Sequence, residues 1–158
     1  RIEFYGVGNS GIVAQDAQHK FFRLGVHAAA VSDGHVQVMS ATMLGAGDCV
    51  VLISNSGCTR DLLDAAEIAR RRGATIIVIS ASGSPLAAMG QGGANQILLA
   101  VDHPEDYDRY SPMVSRLLHL VIIDILTTGV ALRLGGELRP MLAEIKRNLR
   151  AKRYARAE

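Results

Sequence analysis

Five short, continuous and mostly apolar runs, separated by stretches with helical spacing, constrain this chain more than any other feature. The runs cover residues 2–7, 28–32, 49–53, 75–79 and 96–101. A strand with one solvated face alternates apolar and polar residues, whereas unbroken apolar runs fit strands covered on both faces. Between them, residues 10–24 place Ala14, Ala17, Phe21, Phe22 and Leu24 near helical spacing. Residues 60–72 do the same with Leu62, Leu63, Ala66, Ile68 and Ala69, and residues 36–44 and 82–89 read as shorter helices. Gly25, Gly45 or Gly47, and Gly73 supply the stops, and Arg70-Arg71-Arg72 suits the negative end of a helix dipole. A polar loop over 102–110 leads into a long, very apolar helix over 112–134. Gly135-Gly136 then breaks the chain before a basic helix over 140–154. This order predicts an α/β fold: a doubly wound, five-stranded parallel sheet flanked by helices.

At 158 residues the chain is one domain large enough to bury a proper core. Its 49% hydrophobic and 20% charged residues fit a soluble globular domain. No apolar run reaches about 18 uncharged residues, so no membrane span is predicted. There is neither a signal peptide nor an initiator methionine, and the chain reads as a fragment of a longer protein. Two cysteines, Cys49 and Cys58, do not make a disulfide framework; they read as reduced thiols in the cytoplasm. His19, His27, His35, His103 and His119 show no metal-ligand spacing, so neither a metal nor a cofactor is predicted.

In a doubly wound sheet, ligands bind beyond the carboxyl ends of the strands. Three loops reach that end: Gly8-Asn9-Ser10-Gly11, Ser54-Asn55-Ser56-Gly57-Cys58-Thr59, and Ser80-Ala81-Ser82-Gly83-Ser84. The second lies between a buried strand and a helix start, where outward N–H groups, the helix dipole and hydroxyls favour an anion. The phosphate of a small sugar phosphate fits it. Simple capping competes with that reading: Ser56 or Thr59 for the following helix, Ser10 for the first. A dinucleotide site competes too, because Gly6-Val7-Gly8-Asn9-Ser10-Gly11 satisfies G-x-G-x-x-G and Asp33 ends the second strand. Against it, a dinucleotide needs no second hydroxyl-rich loop, and the chain leaves little room for a substrate domain. Cys58, near a helix start, has the position of a nucleophile but no histidine beside it in sequence. His119 lies in an apolar helix and reads as a core histidine, whereas His35, at a strand end, reads as facing the ligand.

Taken together, Gly8-Asn9-Ser10 and the S-x-S-G-x-T pattern of residues 54–59 resemble the sugar isomerase (SIS) domain, over about residues 2–134. The resemblance implies a flavodoxin/Rossmann-like SIS fold. It implies that Ser54, Ser56 and Thr59 bind the phosphate, with Asn55 and Gly57 presenting backbone amides, and that Gly8, Asn9 and Ser10 face the ligand. Enzymes of the family interconvert aldose and ketose phosphates and need a carboxylate base, a glutamate at the start of the helix after the fifth strand. Here Asp108-Arg109-Tyr110-Ser111-Pro112-Met113 occupies that stretch and places Tyr110 at the glutamate position, with Glu105, Asp106 and Asp108 nearby as a shifted base.

Tyr5-Gly6-Val7-Gly8, residues 16–25 and residues 108–113 resemble the sugar-sensing half of RpiR-type transcription regulators, in particular the HexR-like branch. That likeness implies an effector-binding domain and not an enzyme, with 2-keto-3-deoxy-6-phosphogluconate as ligand and an aldose–ketose isomerase as the alternative. The ligand's carboxylate and hydroxyls would meet the first loop and residues 33–35, His35 among them, or Lys20. DNA would be bound through an N-terminal helix-turn-helix domain that this chain does not contain. Residues 1–134 would form the SIS domain and 135–158 a basic helical extension of it. The helix over 112–134 is apolar nearly all round and reads as both a core helix and a subunit contact, because the SIS resemblance implies a homodimer or a higher homo-oligomer. The tail from Arg139 to Glu158, with seven basic and two acidic residues, reads as a solvated face or a partner-packed helix, with nucleic-acid contact as the alternative.

Overall fold

The computed structural model describes residues 1–104, 114–150 and 152. Strands and helices alternate as β1 (Ile2–Tyr5), α1 (Asn9–Phe22), β2 (Ala28–Val31), α2 (Gly34–Thr42), β3 (Cys49–Ile53), α3 (Arg60–Arg71), β4 (Thr75–Ser80), α4 (Pro85–Met89) and β5 (Gln96–Ala100). Two further helices follow, α5 (Val114–Leu134) and α6 (Leu138–Arg150). All neighbouring strands pair in parallel, in the order β2-β1-β3-β4-β5. In register, Phe4 stands between Ala30 of β2 and Val51 of β3.

Both faces of the sheet are covered, and the strand period of two assigns the core residues to them. Val50, Leu52, Ile76 and Val78 face one side with Tyr5 of β1 and pack with Ala41, Leu62, Ala65, Ala66, Ala69 and Leu86 of α2, α3 and α4. Val51, Ile53 and Ile79 face the other, with Phe4, Val13, Ala14, Ala17 and Phe21 of β1 and α1 and Ile123 of α5. The Phe4 and Phe21 rings meet tilted, with centroids 5.1 Å apart. Beneath α2, the buried Glu3 carboxylate accepts hydrogen bonds from Tyr5 and Ser40, each at 2.6 Å. Burial, and then that bond to Glu3, raises the Tyr5 phenol above its ordinary range.

α5 is two-faced. Ser115, His119 and Ile123 are buried, whereas Val114, Leu117, Val121, Ile125 and Leu132 are exposed. Among the described residues it is the one helix long and apolar enough to cross a membrane by length and composition. The expectation of no span rested on unbroken uncharged runs, which Asp124 interrupts. Here α5 packs its inner face on the domain core.

The end of α5 differs from the expectation. Gly135 and Gly136 do not hold α5 and α6 apart; they form a 3-10 turn, Gly135–Glu137, that runs straight into α6. Pro140 lies in the first turn of α6, where its missing N–H has no helical partner to lose. Tyr154 of the predicted last helix lies outside the described residues, as do the tail cations Arg153 and Arg156.

Candidate functional site

The strand order sets where a ligand can sit. The chain runs from β1 outward to β2, then crosses back to β3 on the other side of β1, so β1 and β3 are adjacent strands with helices leaving to opposite faces. The crevice outside their carboxyl ends is the switch point of the sheet. Both loops of the sequence pattern, residues 6–11 and 54–59, lie there.

Glycines hold the first loop close. A Cβ on Gly6 would stand 2.4 Å from the Ser10 carbonyl oxygen, so only glycine lets the first turn of α1 fold back onto β1. Gly8 caps α1 at φ 59° and has no side chain to cap with. Ser10 therefore sits inside the first turn and not at its cap, which removes the capping explanation for its hydroxyl. Asp33 is accounted for otherwise: its carboxylate accepts the Val36 N–H at 3.0 Å and caps α2. The acid required by the dinucleotide reading is thus in use as a helix cap.

The second loop is built on the third. Gly57 adopts φ +61°, and a Cβ there would lie 2.1 Å from Ser84 Oγ and 2.5 Å from Ser80 Oγ. These two buried hydroxyls are 3.0 Å apart, and Ser84 also caps α4 by accepting the Ala87 N–H. The Leu86 N–H donates to the Gly57 carbonyl at 3.0 Å. The serines of the third loop are therefore supports beneath the second.

Within residues 54–59, Gly57 N–H donates to Ser54 Oγ at 3.0 Å and Cys58 N–H donates to Ser56 Oγ at 3.3 Å. The expectation that Gly57 presents its amide outward is thereby corrected: the amide is folded onto Ser54. Both serine hydroxyls keep their O–H as a donor. Thr59 occupies the N-cap position of α3 but makes no side-chain capping bond. The first helical bond runs from Leu63 N–H to the Thr59 carbonyl, which leaves the preceding first-turn amides without intrahelical acceptors. Backbone and hydroxyl donors thus gather at the start of α3. The one acid of that turn, Asp61, stands beside Gly34 of α2.

Asn9 and Ser10 of the first loop and Asn55 of the second line one cavity of about 30 Å³, together with Val13. Its far wall is α5: Ser115, Arg116 and His119. The sequence reading missed Ser115 and Arg116 and took His119 for a core residue only. His119 is indeed buried, at 1% exposure, but it also faces this cavity. Three polar residues clustered near the start of a largely apolar helix were the available signal. Ser54, Ser56, Gly57 and Thr59 do not line the cavity.

Two expected ligand residues are elsewhere. His35 lines a separate, wider cleft of about 540 Å³ with Asp33, Gly34, Val38, Met39 and Asp61. Lys20 sits ten residues beyond Ser10 on α1, roughly 15 Å along the helix. Its ammonium pairs with Asp16 at 2.9 Å and with Asp124 of α5. Partial burial works against its charge, but the bonds to Asp124 and Asp16 outweigh that and raise its pKa. Lys20 clamps α1 to α5 and does not reach the loops. Glu105, Asp106, Asp108 and Tyr110 lie outside the described residues. Among the described residues no group of His, Cys, Asp and Glu could hold a metal ion.

Comparison with known proteins places this geometry. Residues 1–129 match the SIS domain family. The HTH-type transcriptional regulator HexR of Pseudomonas aeruginosa is 44% identical over 154 residues, 98% of this chain and 52% of its own length. The bifunctional protein glk of Burkholderia orbicola is 45% identical over 149 residues, 92% of this chain and 22% of its own length. The chain thus spans about half or less of these relatives. Among solved structures, the Vibrio vulnificus NanR protein complexed with ManNAc-6P superposes with a TM-score of 0.84 at 24% identity, covering 98% of this chain and 56% of that one. That likeness speaks for the fold.

Proposed function

This chain belongs to the SIS domain family, and from that premise we propose that it is the effector-binding, sugar-phosphate-sensing domain of a bacterial RpiR/HexR-like regulator of carbohydrate metabolism. One observation carries the reading: Asn9, Ser10 and Asn55, from the two loops of the family pattern, line a common cavity at the switch point of the sheet. The hydroxyls of Ser54, Ser56 and Thr59 and the first-turn amides of α3 hold the phosphate, and Gly8, Asn9 and Ser10 meet the sugar. Each charge-assisted bond is worth roughly 1.5–3 kcal/mol. The likeness to the HexR-like branch supports 2-keto-3-deoxy-6-phosphogluconate as the ligand. The 44% identity to HexR over 98% of the chain supports a sensor that does not turn its ligand over.

Residues 1–134 form the binding domain, and α6 extends it: Leu138 is buried and Met141 packs against Gly25. DNA is bound through a helix-turn-helix domain outside this chain, in the cytoplasm. Regulation then requires that the ligand favour one dimer arrangement over another, because equal affinity for both shifts nothing.

A thermal-shift panel of sugar phosphates tests the reading. A sugar phosphate raises the melting temperature of the parent, and Ser56→Ala and Ser10→Ala each weaken that binding about tenfold or more. Equal stabilisation of both variants would place the site elsewhere. Interconversion of aldose and ketose phosphates by the chain would favour an isomerase.

A further inference from the structure

We propose that Arg116 is the residue that pairs with an anionic oxygen of the ligand. The inference rests on the binding reading above and adds to it a positive charge that the sequence pattern does not contain. The S-x-S-G-x-T loop offers hydroxyls and amides, which are dipoles and not ions. Asn9, Ser10, Val13, Asn55, Ser115 and His119 line the cavity with Arg116, and among these described residues Arg116 alone carries a permanent charge.

Its surroundings are unusual for an arginine. Arg116 Nε is buried, and it has no hydrogen-bond partner among the described residues. Buried polar atoms are nearly always paired, and an exception calls for an explanation. A planar guanidinium with fixed donors and a permanent charge suits a carboxylate or phosphate oxygen. Lys20, farther along α1, is engaged with Asp16 and Asp124. The cavity of about 30 Å³ admits an oxygen-sized group and not a whole sugar. The ligand therefore lies over its mouth and directs one oxygen toward Arg116.

The test titrates the whole chain with glucose 6-phosphate, 6-phosphogluconate and inorganic phosphate, in the parent, Arg116→Gln, Arg116→Lys and Ser56→Ala. Arg116→Gln weakens binding about tenfold or more, the size of one charge-assisted bond, and Arg116→Lys restores some of it. The unliganded melting temperature of Arg116→Gln equals or exceeds that of the parent, since a charge without a partner among the described residues has been replaced by a neutral group. A purely structural arginine would instead lower it. Loss confined to 6-phosphogluconate identifies a carboxylate as the partner; loss with all three identifies the phosphate. If Arg116→Gln binds as the parent does while Ser56→Ala does not, this inference falls and the binding reading stands. If no probe binds the parent, both fall.

Discussion

At the scale of single residues, Gly57 is the position where backbone and packing demands coincide. Its φ of +61° is one that L side chains rarely adopt, and the space where a Cβ would go is filled by Ser84 and Ser80. Rotation of the Ser84 hydroxyl cannot relieve the clash, because Ser84 Cβ itself would lie 2.4 Å away. Gly57→Ala should therefore cost about 2 kcal/mol or more. That corresponds to a fall in Tm of roughly 4–8 °C for a chain of this size, read by thermal denaturation. An unchanged Tm would mean that the loop is not seated on the Ser80–Ser84 pair. The two cysteines separate at the same scale. Burial pushes the Cys49 thiol up to about 11, while Cys58 is exposed in the loop. Alkylation near pH 8 followed by peptide mass spectrometry should modify Cys58 and spare Cys49. Labelling of both at one rate would show that β3 opens readily.

At the scale of elements, α1 and α5 are joined twice, by the apolar contacts around Ile123 and by the Lys20 bridge to Asp124. Half-exposed ion pairs contribute little, about 1 kcal/mol at most. Lys20→Met should lower stability by no more than that in urea denaturation and leave sugar-phosphate affinity unchanged. A lost affinity would return Lys20 to the binding site. The pH dependence has a definite sign. Pairing raises the folded-state pKa of Lys20, so its contribution is present in full below the unfolded value of about 10.4 and is lost as pH rises through the folded value. The stability gap between parent and Lys20→Met should hold from neutrality to about pH 10 and close above it.

At the scale of the molecule, the outer face of α5 is an exposed apolar surface. Val114, Leu117, Val121, Ile125 and Leu132 recur at helical spacing, and Ile125 and Leu132 are 65% and 77% exposed. A contiguous apolar face of this kind marks an association surface. A second copy of the chain is the partner that the SIS reading supports. Light scattering coupled to size exclusion should give about twice 16.9 kDa for the parent and 16.9 kDa for Ile125→Glu. A monomeric parent at high concentration would leave that face to another partner.

How much could be read in advance depended on the range of the interaction. The sequence determined β3 to the residue, Cys49–Ile53, and the other strands to within two residues, because an unbroken apolar run is a local signal. It determined the two loops as well, since Gly6, Gly8 and Gly57 meet strict local backbone demands. It misjudged Gly135-Gly136, because glycine permits a break without requiring one. Tertiary structure alone decided the rest of the site. It turned Gly57 N–H inward and placed Lys20 on Asp124. It also set His35 in a separate cleft and brought Ser115, Arg116 and His119 of α5 against Asn9, Ser10 and Asn55. More than a hundred residues separate Asn9 from Ser115. No local periodicity spans that distance; the packing of α5 on α1 does.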